Sequence, residues 1–222
     1  MGVDRPTGAG RRDLANKATP EETGCRRALE ALIGLTRPEH AQDLSRLLLD
    51  RFGSFGGVLS ARAEERATVL EQSPDIEQTL QSVQHALEHM LRGELMQRPV
   101  LSSDRTVLDY LRYRMAYAPI ERFRVLFLNA ANELLADEVL GVGTVTAVHA
   151  YPREIMKRCL ELGATALLLA HNHPSGNPVP SKADLDLTKR IANAARWFDV
   201  VLHDHLVVAR HGWISFRAAG YL

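Results

Sequence analysis

Cysteine is scarce in this sequence, and its placement excludes several kinds of zinc site. The 222 residues include two cysteines, Cys25 and Cys159, which lie far apart and form no Cys-x-x-Cys pair. A disulfide framework and a thiolate zinc cluster are therefore not indicated, and reduced thiols in the cytosol fit best. The chain also lacks His-Glu-x-x-His, a zinc motif of proteases, and the His-x-Glu of nucleobase deaminases.

Long apolar runs and an excess of charge of either sign are missing as well. No run approaches the roughly 18 residues of a membrane span, and the N-terminus lacks the apolar core of a signal peptide. We therefore expect a cytoplasmic protein without a membrane partner. With 27 basic and 27 acidic side chains the net charge is zero, which gives no electrostatic reason for strong nucleic-acid binding, although a local basic patch stays open.

Length and composition indicate a globular chain with two domains. An apolar content of 45% and a charged content of 24% are close to soluble averages, so neither a disordered nor a fibrous chain is indicated. A length of 222 residues accommodates one catalytic domain of about 120 residues and a smaller partner. Residues 1–21 combine glycine, proline and polar residues without periodicity, which predicts a flexible tail.

Residues 22–98 have the pattern of an all-helical domain, because apolar side chains recur at spacings of three and four. Gly53 and the Gly56-Gly57 pair are predicted to follow the second helix as stop signals, while Ser73 and Pro74 are predicted to begin the last one. The periodic positions are Leu29, Leu32, Ile33, Leu44, Leu47, Leu48, Ile76, Leu80, Val83, Leu87 and Leu91.

Residues 99–222 change to strands that alternate with helices. Ser103 is a candidate cap for an amphipathic helix that ends before Pro119. Helices are also predicted over 153–162 and 182–197, and a terminal hairpin is predicted to turn at 210–212. This alternation indicates an α/β sandwich around a mixed β-sheet. The predicted strands are 123–128, 134–140, 142–148, 165–170 and 200–208.

The candidate chemistry begins at the end of an apolar run. Residues 164–170 have the composition of a buried strand, and His171-Asn-His173 follows directly. Side chains two residues apart on a strand point to the same face, so both imidazoles can converge on one metal ion before Pro174 turns the chain away. A loop rich in proline then leads to a helix whose first turn contains Asp184, the natural third ligand.

Such a three-ligand site has the composition of a catalytic zinc centre. Two imidazoles and one carboxylate leave the fourth tetrahedral position to water, whose pKa zinc can lower from 15.7 to about 7. A hydrolase also needs a proton acceptor beside the water and a donor for the oxyanion. Glu121, just before the first predicted strand, and Ser181, at the helix start, could fill these roles.

These residues resemble a known motif. His-x-His, seven residues, serine, two residues and aspartate, with a glutamate about fifty residues upstream, is the JAMM pattern, and every spacing fits. Over about half of its length the chain resembles the RadC family of bacterial proteins, which has a JAMM/MPN-type, metalloprotease-like domain. The matching segments are Glu121–Leu128, Ala136–Glu138, Gly143-Thr144, Tyr151–Glu154, His171–Gly176 and Asp204-His205.

By matching position, this resemblance implies one zinc ion (Zn2+) per chain on His171, His173 and Asp184, with Glu121 as general acid/base and Ser181 as oxyanion stabiliser. It implies a JAMM/MPN-like (cytidine-deaminase-like) α/β sandwich over residues 99–222, preceded by the small all-α domain. The implied activity is that of a zinc metalloprotease, a hydrolase that cleaves a peptide or isopeptide bond with zinc-activated water. Neither the peptide or protein substrate nor the oligomeric state can be read from the sequence.

The helical half departs from the family. RadC-type proteins usually carry a helix-hairpin-helix element whose Gly-x-Gly hairpin could meet phosphates through backbone N–H groups. Residues 70–77 stand in that place with no glycine and three carboxylates, which would repel a phosphate backbone. The resemblance therefore implies a degenerate, helix-hairpin-helix-like domain over residues 22–98, and DNA is an open but disfavoured partner.

Structural explanations compete with parts of this assignment. Ser181-x-x-Asp184 also matches a capping box variant, which begins a helix for purely structural reasons. Asp186 lies about 200° from Asp184 around a helix and should face elsewhere. His203 and His205 are predicted to share one strand face, where they could support the metal ligands or be core residues with hydrogen bonds; we favour the core.

A second class of function stays open. The domain could be a DNA-repair accessory or protein-interaction module whose metal mainly braces the fold, as the family's historical DNA-repair label suggests. Zero net charge and the missing hairpin glycines argue against direct duplex binding. A hydrolytic nucleobase deaminase fails as a third option because its ligand motifs are absent.

Overall fold

The computed structural model describes residues 20–70, 73–101, 105–143 and 150–222. The predicted tail up to residue 19, the Ser103 cap and the strand predicted over 142–148, from residue 144 onward, lie outside the described residues. The helices are α1 (Pro20–Gly34), α2 (Ala41–Phe52), α3 (Phe55–Ser60), α4 (Ala63–Leu70), α5 (Pro74–Met96), α6 (Arg105–Met115), α7 (Pro152–Leu162) and α8 (Lys182–Trp197), with a 3-10 turn at Pro38–His40. The strands are β1 (Arg122–Leu128), β2 (Leu134–Val142), β3 (Ala166–Asn172), β4 (Val201–Ala209) and β5 (Gly212–Ser215).

Helices α1 to α5 enclose an apolar core of their own. The predicted period of three and four is confirmed, since Leu29 and Ile33 of α1, Leu48 of α2, and Ile76 and Leu80 of α5 are all fully buried there. None of the helices in the described ranges has an apolar stretch long enough to cross a bilayer.

The glycines around α3 have two different roles. Gly53 ends α2 as predicted, in the left-handed conformation with a φ of 79°. The stop signal predicted at Gly56-Gly57 is wrong, because both residues lie inside α3. A Cβ atom at Gly56 would lie 2.5 Å from the ring of Tyr117, and one at Gly57 would lie 2.1 Å from the carbonyl oxygen of Phe52. The pair therefore permits close packing.

Helix α5 connects the helical unit to the α/β unit. It begins at Pro74 after Ser73, which stands at the N-cap position but makes no capping hydrogen bond with its side chain. The hydroxyl of Tyr113 in α6 donates a hydrogen bond to the carbonyl oxygen of Gln84 in α5 at 2.8 Å. This contact holds the first helix of the α/β unit against α5.

The α/β unit is a sandwich around a mixed sheet, as predicted. Its strand order is β2-β1-β3-β4-β5, in which β3 and β4 are parallel and all other neighbours are antiparallel. Helix α6 covers one face of the sheet, while α7 and α8 cover the other. All seven residues of β3 are buried, because this central strand lies between the two apolar layers.

Arg66 is the largest fully buried side chain of the helical unit, with 1% exposure. Its guanidinium donates to the carbonyl oxygens of Val58 and Ala61 at 3.0 and 2.8 Å. It also forms two hydrogen bonds with the carboxylate of Glu77 in α5, at 2.8 and 2.5 Å. One side chain of α4 thereby joins the end of α3 to the beginning of α5.

We predict that Arg66→Leu lowers the free energy of unfolding by about 3 kcal/mol, because Glu77 and the carbonyl groups of Val58, Leu59 and Ala61 lose their donor. Urea denaturation of the intact chain measures the loss. The matched control is Arg46→Leu, whose ion pair with Asp43 is 67% and 77% exposed and should contribute about 1 kcal/mol or less. Equal losses in the two variants would contradict the assigned role of Arg66.

Candidate metal centre

Two neighbouring strands and one helix bring the predicted site residues to one end of the sheet. His171 is the second-last residue of β3, and His173 directly follows the strand. Strand β1 is antiparallel to β3 with Phe123 opposite His171, so Glu121 lies at the same end. Asp184 comes from the first turn of α8, the helix that connects β3 to β4.

The four side chains share one small space. One ligand atom from each of Glu121, His171, His173 and Asp184 lies within 4.8 Å of all the others. The Nε2 atoms of the two histidines are 3.0 Å apart. The carboxylate of Asp184 lies 3.5 Å from Nε2 of His171 and 3.6 Å from Nε2 of His173. The structure therefore brings together the three predicted ligands and the predicted general acid/base.

The spacing of these donors fits a tetrahedral metal ion. Bonds of about 2.0 to 2.2 Å from zinc to nitrogen and oxygen place neighbouring donors about 3.3 to 3.6 Å apart. The two Nε2 atoms are 3.0 Å apart, and the Asp184 carboxylate approaches them through Oδ1 at 3.5 Å and Oδ2 at 3.6 Å, which is close to that distance. Two imidazoles and one carboxylate are also ordinary ligands for such an ion. The cluster could accordingly hold a metal ion.

His173 is held by the loop that follows it. Its backbone N–H donates to the carbonyl oxygen of Val208 at 3.0 Å, and its Nδ1 lies 2.8 Å from the carbonyl oxygen of Asn177. The loop turns at Gly176, which has a φ of 85°. A Cβ atom there would lie 3.0 Å from the ring of His211. Glycine is thus favoured for the turn, and a larger residue would also displace the ring of His211 in the β4–β5 hairpin.

His171 is buried, with 1% exposure, and its second ring nitrogen contacts another histidine. Its Nδ1 lies 2.8 Å from Nε2 of His205, and Nδ1 of His205 lies 2.6 Å from Oγ1 of Thr188 in α8. His205 is fully buried, and burial lowers its pKa well below the usual value. His205 is therefore a core residue that also contacts a predicted metal ligand, whereas the sequence favoured the core role alone.

The prediction that His203 and His205 share one strand face is wrong. Leu167 pairs with Leu202 and Leu168 pairs with Asp204, so His203 is an extra residue in β4 that forms a bulge. A bulge shifts the alternation of side chains along a strand. Nε2 of His203 accordingly contacts Oδ1 of Asn132 at 2.6 Å, away from the cluster.

Asn172, the residue between the two histidines, holds the segment that carries Glu121. Its Oδ1 accepts a hydrogen bond from the backbone N–H of Arg122 at 2.8 Å, and its Nδ2 donates to the carbonyl oxygen of Ile120 at 3.1 Å. The side chain is fully buried. Sequence reasoning missed this role, although an amide between two candidate ligands at a strand end was the available signal.

Burial and neighbouring charges shift the pKa values of Glu121, Asp184 and His173. Burial raises the pKa of Glu121 above its usual value, and the charge of Asp184 adds to the rise while the two histidines oppose it. Burial also acts to raise the pKa of Asp184, but the imidazoles of His171 and His173, 3.5 and 3.6 Å away, outweigh it and hold that pKa well below its usual range. The nearby carboxylate of Asp184 in turn raises the pKa of His173.

Ser181 and Asp184 form the capping box that competed with a functional assignment. Oγ of Ser181 accepts from the backbone N–H of Asp184 at 3.2 Å, and Oδ2 of Asp184 accepts from the backbone N–H of Ser181 at 2.7 Å. The hydroxyl of Ser181 also donates to Oδ2 of Asp184 at 2.6 Å. Asp186 is exposed and lies outside the cluster, in line with its predicted direction.

Comparison with known proteins identifies relatives over most of the chain. A family model described as a RadC-like JAB domain matches residues 101–221, which include all four cluster residues. A UPF0758 protein from Rhodobacter capsulatus is 48% identical over 195 residues, or 87% of this chain and 91% of the relative. A UPF0758 protein from Ruegeria pomeroyi is 45% identical over 184 residues, or 83% of this chain and 82% of the relative.

We predict that Asn172→Ala loosens the segment around Glu121. The change leaves the half-buried N–H of Arg122 and the carbonyl group of Ile120 without their partner, which should cost about 1 to 3 kcal/mol of stability. It should also accelerate hydrogen exchange of the Arg122 amide, measured by NMR. Asn193→Ala on the exposed side of α8 is the control, and unchanged Arg122 exchange in Asn172→Ala would refute the prediction.

Proposed function

The chain belongs to the family of RadC-like JAB domain proteins, and we propose that it is a zinc-dependent hydrolase of the JAMM type, a metallopeptidase that cleaves a peptide or isopeptide bond. The observation that carries this proposal is the convergence of Glu121, His171, His173 and Asp184 within 4.8 Å. We place the protein and its peptide or protein substrate in the cytoplasm, where the unpaired thiols of Cys25 and Cys159 would stay reduced.

In this proposal His171, His173 and Asp184 hold one zinc ion per chain through Nε2, Nε2 and a carboxylate oxygen. When bound, zinc lowers the pKa of a coordinated water and polarises a carbonyl group. The strand β3 that carries His171 is buried throughout, whereas the side chains of His173 and Asp184 keep 16% and 14% exposure. A substrate can therefore reach the site from the side of these two residues.

Glu121 is the candidate general acid/base. Its side chain is 9% exposed, and within the described parts of the chain no group donates a hydrogen bond to its carboxylate. The carboxylate can therefore accept a proton from the attacking water and pass it to the leaving nitrogen. A pKa raised by burial supports this use, because a general acid/base works best when its pKa approaches the working pH.

Ser181 is the candidate oxyanion stabiliser. Its hydroxyl and its backbone N–H both donate to Oδ2 of Asp184, at 2.6 and 2.7 Å. Since the backbone N–H can hold that oxygen alone, the hydroxyl can turn toward a substrate oxyanion without releasing Asp184. Hydrogen-bond donors directed at such an oxyanion stabilise the transition state of acyl transfer.

The alternative is a DNA-repair accessory or protein-interaction module with a mainly structural metal. Structural zinc sites are normally closed by four protein ligands, whereas catalytic sites leave one position open. Glu121 is the one side chain of the cluster beyond the three proposed ligands. Its role, as a fourth ligand or as a proton carrier, therefore separates the two functions.

We predict about one zinc ion per chain in the purified protein, measured by elemental analysis after exposure to zinc. His171→Ala and Asp184→Asn should lose the ion, because each removes one of three ligands. Asp186→Asn makes the same change on the same helix at an exposed position and should keep it. A folded wild-type chain that takes up no zinc would overturn the proposed function.

We predict that Glu121→Gln keeps both zinc and fold but loses about 10²- to 10⁴-fold in turnover, because the amide cannot carry the proton. The assay is cleavage of peptide and isopeptide libraries, followed by mass spectrometry. Glu154→Gln on the exposed surface of α7 should retain full turnover. Loss of zinc in Glu121→Gln would instead identify a fourth ligand and favour the structural metal.

A further inference from the structure

We propose that His205 and Thr188 are positioning residues for the metal centre, which hold His171 in the tautomer whose Nε2 lone pair faces the metal position. The inference rests on the metal site of the proposed function but concerns residues outside its ligand set. It is carried by three consecutive hydrogen bonds, here called the relay, which lead from His171 through His205 and Thr188 to the backbone of Asp184.

The donor and acceptor of each hydrogen bond in the relay follow from the contacts of Thr188. Oγ1 of Thr188 lies 2.6 Å from the carbonyl oxygen of Asp184, one helical turn earlier. A carbonyl oxygen can only accept, so the single hydroxyl hydrogen of Thr188 is donated there. Toward Nδ1 of His205, also 2.6 Å away, the threonine oxygen must therefore act as the acceptor.

The protons of the two histidines follow from that acceptor. Nδ1 of His205 must carry a hydrogen in order to donate to Thr188. Because full burial without an acidic partner disfavours the charged ring, His205 carries one hydrogen and its Nε2 is an acceptor. Nδ1 of His171, 2.8 Å from that acceptor, must then be the donor, and Nε2 of His171 is left with its lone pair.

The same reasoning places a lone pair on Nε2 of His173, so that both histidines can face one metal ion. Nδ1 of His173 donates to the carbonyl oxygen of Asn177, so the neutral ring, which is the form that binds a metal, has its lone pair on Nε2. The two Nε2 atoms face each other at 3.0 Å, beside the carboxylate of Asp184. Two lone pairs and a carboxylate repel one another unless a cation lies between them. The relay thus prepares the site for a metal ion.

The relay also couples the two elements that supply the ligands. Thr188 and Asp184 lie one turn apart on α8, while His171 and His205 belong to the neighbouring strands β3 and β4. A shift of the helix relative to the sheet would break the contact between Thr188 and His205. One buried hydrogen bond therefore links the ring orientation of His171 to the helix that carries Asp184.

Two substitutions at Thr188 separate this role from simple packing. Thr188→Val keeps the shape but removes the acceptor, so His205 can move its hydrogen to Nε2 and thereby force the hydrogen of His171 onto its own Nε2, where it blocks a metal ion. Thr188→Ser loses a methyl group but keeps the hydroxyl. The relay predicts that zinc affinity falls about 10- to 100-fold in Thr188→Val and stays near wild type in Thr188→Ser. A packing role predicts the reverse order.

Two substitutions at His205 test the next bond. His205→Gln retains an acceptor for the Nδ1–H of His171, whereas His205→Leu removes it. We expect zinc affinity to decrease in the order wild type, His205→Gln, His205→Leu. Thermal denaturation of each metal-free variant shows that the compared chains are folded, and zinc affinity is measured by competition with a chelator at constant pH.

Nitrogen-15 chemical shifts of the imidazole rings, measured by NMR, show which ring nitrogen carries the hydrogen. The metal-free wild type and Thr188→Ser should carry the hydrogen of His171 on Nδ1, and Thr188→Val should shift it toward Nε2. Equal zinc affinity and an equal tautomer in Thr188→Val and Thr188→Ser, with zinc bound normally by the wild type, would overturn the relay alone. A wild type that binds no zinc would overturn the proposed function as well.

Discussion

The antiparallel pairing of β1 with β3 is the constraint on which the candidate site depends. It places Phe123 opposite His171, so the residues that precede β1 and follow β3 meet at one end of the sheet. A slip of one residue would turn every side chain of a strand to the opposite face and separate Glu121 from the histidines. The apolar layers on both faces of β3 make that slip costly, because they would have to receive the imidazoles instead.

Helix α8 shows that the structural and functional explanations of its first turn are not alternatives. The capping box that begins the helix also fixes the carboxylate of Asp184, since the backbone N–H and the hydroxyl of Ser181 both donate to Oδ2. A carboxylate in the first turn is further favoured by the helix dipole. Ile191 and Ala195 anchor the same helix in the core. The interactions that form the helix therefore also place a candidate ligand.

The sequence predicted local features of the fold better than features that depend on register. Alternation of strands and helices predicted the α/β sandwich, and Gly53 predicted the end of α2. Because side chains two residues apart on a strand share a face, the sequence also predicted that His171 and His173 converge. The sequence offered Glu121 as a candidate proton acceptor, but its proximity to the histidines was implied by the family resemblance alone, because that distance depends on how β1 pairs with β3.

Other parts of the site could not be predicted for physical reasons. The bulge at His203 is a property of the pairing between β3 and β4, and without it the two histidines of β4 would share one face of the strand. Asn172 points away from the metal ligands by the same period of two that brings those ligands together, so the motif presents it as a spacer. The partners of Asn172 are backbone groups about fifty residues earlier in the chain, which only the folded sheet brings close.

The anchoring of the ligands bears on whether a metal would serve structure or chemistry. In small zinc domains the binding energy of the metal is the folding energy, since no core holds the ligands together. Here β3 is buried along its whole length and α8 packs on the same sheet, so the hydrophobic core determines where His171 and Asp184 lie. Ligands placed in this way form a preorganised site. The energy of metal binding is then not needed for folding, and a fold of this kind can leave a coordination position open for a substrate.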